Sequence, residues 1–230
     1  MPEERWRMRT QWAAYAAIVA VALVLAMVPG VESYYAWFFG DLYPALIVLV
    51  AGAIGAACLG SLRPLGGFEI LKRGSTLRGM AVGAGLASVL GVAIVIADII
   101  FRYPQDINAP LPQALAFYPS IGLVAEIVFH VLPLTITMFL LQPFRDRLGT
   151  ARTTWIAIVV VAVAEPTFQV FFGGETQALA VYTWVHVFAI AFLQLWVFRR
   201  YDFVSMYSMR LVYYAYWHLI WGTLRLSLLF

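Results

Sequence analysis

Six ionisable residues sit inside long apolar stretches of this 230-residue chain: Glu126, His130, Glu165, His186, Arg210 and His218. An ionisable group at the centre of a membrane helix costs roughly 3 kcal/mol on insertion scales, so each is a functional candidate by default. All three histidines of the chain belong to this set, and imidazole is the side chain best suited to move a proton or ligate a metal near neutral pH. Glu126 and His130 stand at i and i+4 and so project from one helix face. Glu165, His186 and His218 each fall about seven or eight residues from the outer end of their own stretch, a similar depth at about 1.5 Å per residue. Four helices can therefore direct carboxylates and imidazoles into one buried pocket. Pro119 and Pro133 flank the Glu126 pair, and Pro166 follows Glu165 directly. A proline inside a helix frees a carbonyl one turn back and widens the turn, which adds acceptors to such a pocket.

Three chemistries fit this set. In a hydrolase, Glu126 is a general base toward water, with Glu165 as a second candidate; His130 holds Glu126, while His218 and His186 position the water or stabilise the oxyanion. In a metal protein, the carboxylates of Glu126 and Glu165 and the imidazoles of His130, His186 and His218 suit zinc or non-haem iron better than magnesium. In a non-catalytic membrane subunit, the same cluster fixes helix register or carries protons. Each residue also has a plainer use. His186 follows Tyr182 by four residues and fits a hydrogen-bonded packing histidine; Glu165 fits a structural partner of His186 or His218. Arg210, with Asp202 nearby in sequence, fits a snorkelling or ion-paired side chain. Asp98 and Arg102 fit a surface i, i+4 pair, and Gln169 and Gln194 fit buried amides that join helices.

The elements that must position these groups follow from composition. The chain is 63% apolar and 12% charged, with a mean hydropathy of +0.85, whereas a soluble domain is about half apolar and about a quarter charged. Apolar runs broken by charges, Pro and Gly predict seven helices, at roughly 11–29, 43–62, 79–101, 113–142, 154–172, 178–198 and 204–226. The expected fold is all-α: a polytopic transmembrane bundle of about seven spans forming a single domain over residues 1–230, set in a membrane, with a prokaryotic plasma membrane as the expected location. The first run follows Arg5, Arg7 and Arg9 as a signal peptide would, but its length and the six runs after it read as a true span. Twelve of the fifteen Lys and Arg fall in alternate connections on one side, against Arg102 on the other, which predicts an N-in, C-out topology. The net charge of +3 is thereby accounted for by topology, leaving nothing that points to nucleic acid. A single cysteine, Cys58, excludes an intrachain disulfide and a thiolate cluster, and the only lysine, Lys72, lies in a loop and cannot form a buried Schiff base. No inverted repeat suggests a transporter. Gly79, Gly83, Ala87 and Gly91 form one small-residue seam and Gly52, Ala56 and Gly60 another, both read as bundle packing. Trp12, Trp37, Trp155 and Trp196 fall near span ends as interfacial anchors.

The C-terminal half, about 113–226, resembles the CPBP superfamily of intramembrane proteases, which includes the type II CAAX prenyl endopeptidases. That family carries a Glu-Glu-x-x-x-Arg helix, a Phe-x-x-x-His helix and a final His-x-x-x-Asn helix. Here the first motif reads Ala125-Glu126-Ile127-Val128-Phe129-His130, with Ala125 at the first glutamate and His130 at the arginine. The third reads His218 to Gly222, without the asparagine. For the second, Tyr182 to His186 fits the letters, while the spacing favours Glu165 in place of the histidine. The resemblance implies a membrane-embedded hydrolase acting on a membrane-embedded or lipid-modified peptide, altered where Ala125 replaces the water-activating glutamate.

Overall fold

The computed structural model describes residues 2–173 and 177–230. Among them every regular element is helical. Six helices are long and apolar enough to cross a membrane: Met8–Ala26, Pro44–Gly66, Thr76–Phe101, Ala114–Leu140, Thr150–Phe171 and Gln177–Arg200. The chain is thus an all-α, polytopic helical bundle of integral-membrane type. The six spans match the first six expected runs to within a few residues, since apolar length is the strongest signal a sequence carries. The polar turn expected between the fifth and sixth runs falls largely on 174–176, outside the described residues.

We number the helices α1 (Pro2–Ala26), α2 (Glu32–Phe39), α3 (Pro44–Gly66), α4 (Thr76–Phe101), α5 (Ala114–Ala125), α6 (Leu132–Leu140), α7 (Arg145–Leu148), α8 (Thr150–Ala162), α9 (Ala164–Gly173), α10 (Gln177–Arg200), α11 (Phe203–Tyr214) and α12 (Gly222–Leu228). The short α2 lies between the first two expected runs. Its aromatic residues explain it: Tyr35 is buried and packs edge-on against Phe117 at 5.6 Å.

Three of the long helices are interrupted where the polar residues lie. Between α5 and α6 the backbone widens into a π-turn, Glu126–Val131, with the Leu132 N–H bonded to the Ile127 carbonyl five residues back. Pro133, which cannot donate to the carbonyl four residues back, lies just beyond it. Between α8 and α9 the helix breaks at Val163, three residues before Pro166. A second π-turn, Ala215–Trp221, separates α11 from α12 and carries His218, with no proline nearby.

The last segment, α11 to α12, is clasped by α4. The small-residue seam makes this approach possible: Gly79 faces Tyr201 and Ser205, Gly83 faces Met209, and Gly91 faces Tyr216. A Cβ built on Gly79 lies 2.7 Å from the Tyr201 ring, a distance no relaxed contact tolerates. Gly79→Val is expected to destabilise by about 1–3 kcal/mol through overpacking. Gly85, on the exposed face with nothing within 4 Å of its Cβ position, is the control: Gly85→Ala should leave the thermal midpoint of the detergent-solubilised protein unchanged or slightly raised. The second seam packs similarly, with Gly52 against Val19 of α1 and Gly60 near Trp12.

The last segment is also tied down at both ends. Asp202 caps α11 by accepting the Ser205 N–H at 2.8 Å, and it accepts the Lys72 N–H at 2.9 Å. At the other end Arg225, fully buried, donates to both oxygens of Asp98 at 2.6 and 2.9 Å, and the Trp221 indole donates to Asp98 at 2.7 Å. This corrects the expected surface pair of Asp98 with Arg102. Arg102 instead ends α4 with φ of 55° and lies exposed, because the chain must turn there into the following loop. Arg225 also donates to the carbonyls of Tyr103 at 2.6 Å and Pro104 at 2.9 Å, which pins that loop to α12.

Candidate functional site

Glu126 and His130, on the first π-turn, meet as their spacing predicts, with Nδ1 of His130 2.7 Å from Oε2 of Glu126. The centre of the cluster, however, is Arg210 of α11. Its Nε donates to Glu126 Oε1 at 2.6 Å, and its two terminal nitrogens grip Glu165 bidentately at 3.0 Å each. The same nitrogens reach Tyr214 Oη at 3.0 Å and Gln194 Oε1 at 3.3 Å. Gln194 in turn donates to Glu126 Oε1. Four elements thus converge on one ionic cluster, all of it buried. Arg210 is ion-paired as one of its expected uses had it, but with Glu126 and Glu165 across the bundle; Asp202 is committed to capping.

Glu165 has Arg210 as its main partner, with His130 Nε2 at 3.5 Å, so the expected pairing with His186 or His218 does not form. Its place is set by the helix break before Pro166, which puts the carboxylate in the first turn of α9. Gln194 is the buried amide that was expected; Gln169 is exposed and lines a cavity.

That cavity has a volume of about 710 Å³, within the range of about 300–1,000 Å³ for small-molecule sites. Most of its wall is apolar, from α2, α5, the two π-turns, α9 and α10, including Phe39, Phe117, Ile121, Phe129, Val187 and Trp217. It reaches the surface beside Trp37, Phe38, Val128 and Phe168, which line it and are 51%, 58%, 41% and 42% exposed. Its polar groups include Glu165, Arg210, Tyr214, His186 and His218. Glu126 and His130 lie behind Arg210 and are not part of the wall. Both oxygens of Glu126 are already engaged, which leaves it the part of an anchor for Arg210.

The two cavity histidines differ in what they have left to offer. For His186, Nδ1 lies 3.4 Å from Tyr182 Oη and Nε2 lies 3.1 Å from Tyr213 Oη. The Tyr182 hydroxyl donates to the Ala93 carbonyl at 3.0 Å, so its oxygen accepts from Nδ1, and Nε2 accepts from Tyr213. Both ring nitrogens are occupied, which is the geometry of a packing histidine.

His218 is held on one side only. Its Nδ1 meets Asn108 Oδ1 at 2.5 Å, and its ring stacks on Tyr118 at 4.1 Å between centroids. The Tyr118 hydroxyl accepts from the Ala109 N–H at 2.8 Å and faces the same Oδ1 across 3.5 Å; with the amide oxygen on that side, Nδ2 is buried without a hydrogen-bond partner among the described residues. Nδ1 therefore carries the hydrogen, and Nε2 keeps its lone pair, with no hydrogen-bond partner among the described residues. Asn108 comes from the loop pinned by Arg225, and no sequence pattern marked it. Its amide lies where a side chain at Gly222 would extend, with Nδ2 2.9 Å from the position of a Cβ there.

Among the described residues no group of three or more His, Cys, Asp or Glu side chains is arranged to hold a metal ion. The expected zinc or iron ligands Glu126, Glu165, His130, His186 and His218 do not fit one, because the Arg210 guanidinium fills the space between the carboxylates. The two remaining histidines are turned to Tyr213 and Asn108. Set against protein-family models, curated proteins and solved structures, the chain gives no match.

Proposed function

We propose that this chain is a membrane-embedded hydrolase whose reaction centre is the cavity, with His218 as the base that activates water. The observation that carries this reading is the Asn108–His218 contact at 2.5 Å, which leaves Nε2 of a cavity-lining imidazole as a directed lone pair. A water on Nε2 gives up a proton as its oxygen attacks a substrate carbonyl; the imidazolium then returns that proton to the leaving nitrogen as the C–N bond breaks. Tyr214, four residues before His218, supplies the oxyanion donor. Its oxygen already accepts from Arg210 at 3.0 Å, which polarises the O–H and leaves its proton for a developing negative charge. Glu165, fixed by Arg210, receives the polar end of the substrate.

The substrate class is a membrane-embedded or lipid-modified peptide, supported by the apolar wall and its exposed aromatic rim. The resemblance to CPBP proteases supports the same reading in altered form. Ala125, at the position of that family's first glutamate, lines the cavity without a base to offer, and Asn108 takes the space that the asparagine missing at Gly222 would need. In this reading α11 and α12 form a seventh span in a single membrane domain, N-in and C-out. The mouth beside α2 and the loop bearing Asn108 then lie on the outer side, as the distribution of Lys and Arg supports.

The test is turnover of a panel of quenched-fluorescent lipidated and transmembrane peptides by the protein in liposomes. Tyr214→Phe is expected to lower kcat by about 10²–10³ with KM little changed, the signature of a group that acts on the transition state. Turnover by Tyr214→Phe equal to that of the parent protein, or none by the parent protein on any member of the panel, defeats the reading.

A further inference from the structure

Arg210 has five N–H groups and the protein uses all of them: one on Glu126, one on each oxygen of Glu165, one on Tyr214 and one on Gln194. It lines the cavity but has no donor left for an anion arriving there. Its single positive charge is set against two carboxylates, Glu126 and Glu165; with His130 as a neutral ring that donates from Nδ1 to Glu126, the cluster carries one excess negative charge. The other groups facing the cavity do not offset it. His218 donates from Nδ1 and is bare at Nε2, and His186 accepts at Nε2; each of these arrangements is that of a neutral ring. Asp98 and Arg225 pair with one another. Of the two carboxylates only Glu165 reaches the wall; each of its oxygens takes one Arg210 N–H, with His130 Nε2 3.5 Å from Oε2, so the carboxylate retains acceptor capacity.

We infer that the cavity selects an amphiphile whose polar end is a protonated amine, its N–H groups donating to Glu165 and its chain lying along the Phe117, Phe129 and Trp217 wall. In a site lined mostly by apolar side chains an uncompensated charge interacts far more strongly than in water, so the sign of the ligand's head group decides its affinity. A long-chain carboxylate or phosphate meets Glu165 with no free cationic donor beside it, only the neutral Tyr214 hydroxyl. The inference narrows the substrate of the hydrolytic reading and rests on the same cavity: the bond to be cleaved lies close to a cationic group, and a free carboxylate at that point is refused.

The experiment is equilibrium binding, so it reads the cavity without turnover. The full chain in uncharged-detergent micelles is titrated by scintillation proximity with tritiated dodecylamine, dodecanoate and dodecanol, which share a chain and differ in head charge. Dodecylamine is expected to bind saturably with Kd at least about tenfold below that of dodecanoate, with dodecanol between them. Glu165→Gln should abolish the preference for the amine over the carboxylate. Ala125→Phe, which fills the cavity from its wall, should weaken all three. Equal Kd for amine and carboxylate in the unaltered protein overturns the inference; this is the result expected if a proton on His130 Nε2, 3.5 Å from Glu165, already balances the cluster. An amine preference in a protein that hydrolyses nothing leaves the inference standing and removes the hydrolase. Hydrolysis without the preference does the reverse.

Discussion

Replacing Arg210 with leucine is expected to cost about 3–5 kcal/mol of stability, a large share of what holds a domain of this size together. The substitution removes the partner of two buried carboxylates at once. Glu126 keeps His130 and Gln194, but Glu165 keeps only the distant His130 Nε2. Arg210→Lys restores the charge without the planar fork, so it cannot hold Glu165 bidentately and reach Glu126 together; it is expected to recover only part of the loss. Glu165→Gln should be milder than either, because it leaves Arg210 paired with Glu126 and removes the excess negative charge. Thermal unfolding of the three variants in detergent, followed by circular dichroism, checks this order. A midpoint for Arg210→Leu within a degree or two of the parent protein's contradicts it.

His218→Ala is expected to lower kcat for hydrolysis by about 10²–10⁴, the range for loss of a positioned general base. KM should move little, since the imidazole takes up little of the cavity wall. Asn108→Ala should give a smaller loss, about tenfold, because the ring remains but is free to rotate and to place its hydrogen on either nitrogen. That smaller loss separates a positioning residue from the base it positions. Arg225→Leu, remote from the cavity chemistry, should mimic Asn108→Ala in kcat while also losing stability, because it frees the loop that carries Asn108 and leaves Asp98 unpaired. Stopped assays on a peptide that the parent protein turns over measure all three. Unchanged kcat in His218→Ala removes the imidazole from the mechanism.

The parts of this arrangement that were legible in the sequence are those written in local spacing. Apolar length gives the spans, and the i, i+4 rule joins Glu126 to His130. Pro133 and Pro166 mark the π-turn and the helix break that present Glu126 and Glu165. The small-residue seam on α4 announces a close neighbour. What could not be read is which helix that neighbour is. Sequence nearness offers Arg210 only Asp202, whereas its partners lie 84 and 45 residues away. Asp98 was matched to Arg102 by the same local logic and is bound by Arg225, 127 residues on. The second π-turn has no proline to signal it. Asn108 sits in a loop without periodicity, and its only trace was an absence, the missing side chain at Gly222.

The dependence of the cluster on α11 has a consequence for how the chain is made. Synthesis runs from the N-terminus, so the helices bearing Glu126 and Glu165 leave the ribosome well before Arg210 does. Glu126 travels with its own companion, because His130 lies one turn away on the same helix and can share a hydrogen with it from the outset. Glu165 has no such escort within α9. Until Arg210 enters, the nearest partner left to that carboxylate among the described residues is His130 Nε2 at 3.5 Å, so the segment from Thr150 to Gly173 is expected to settle fully only when α11 arrives.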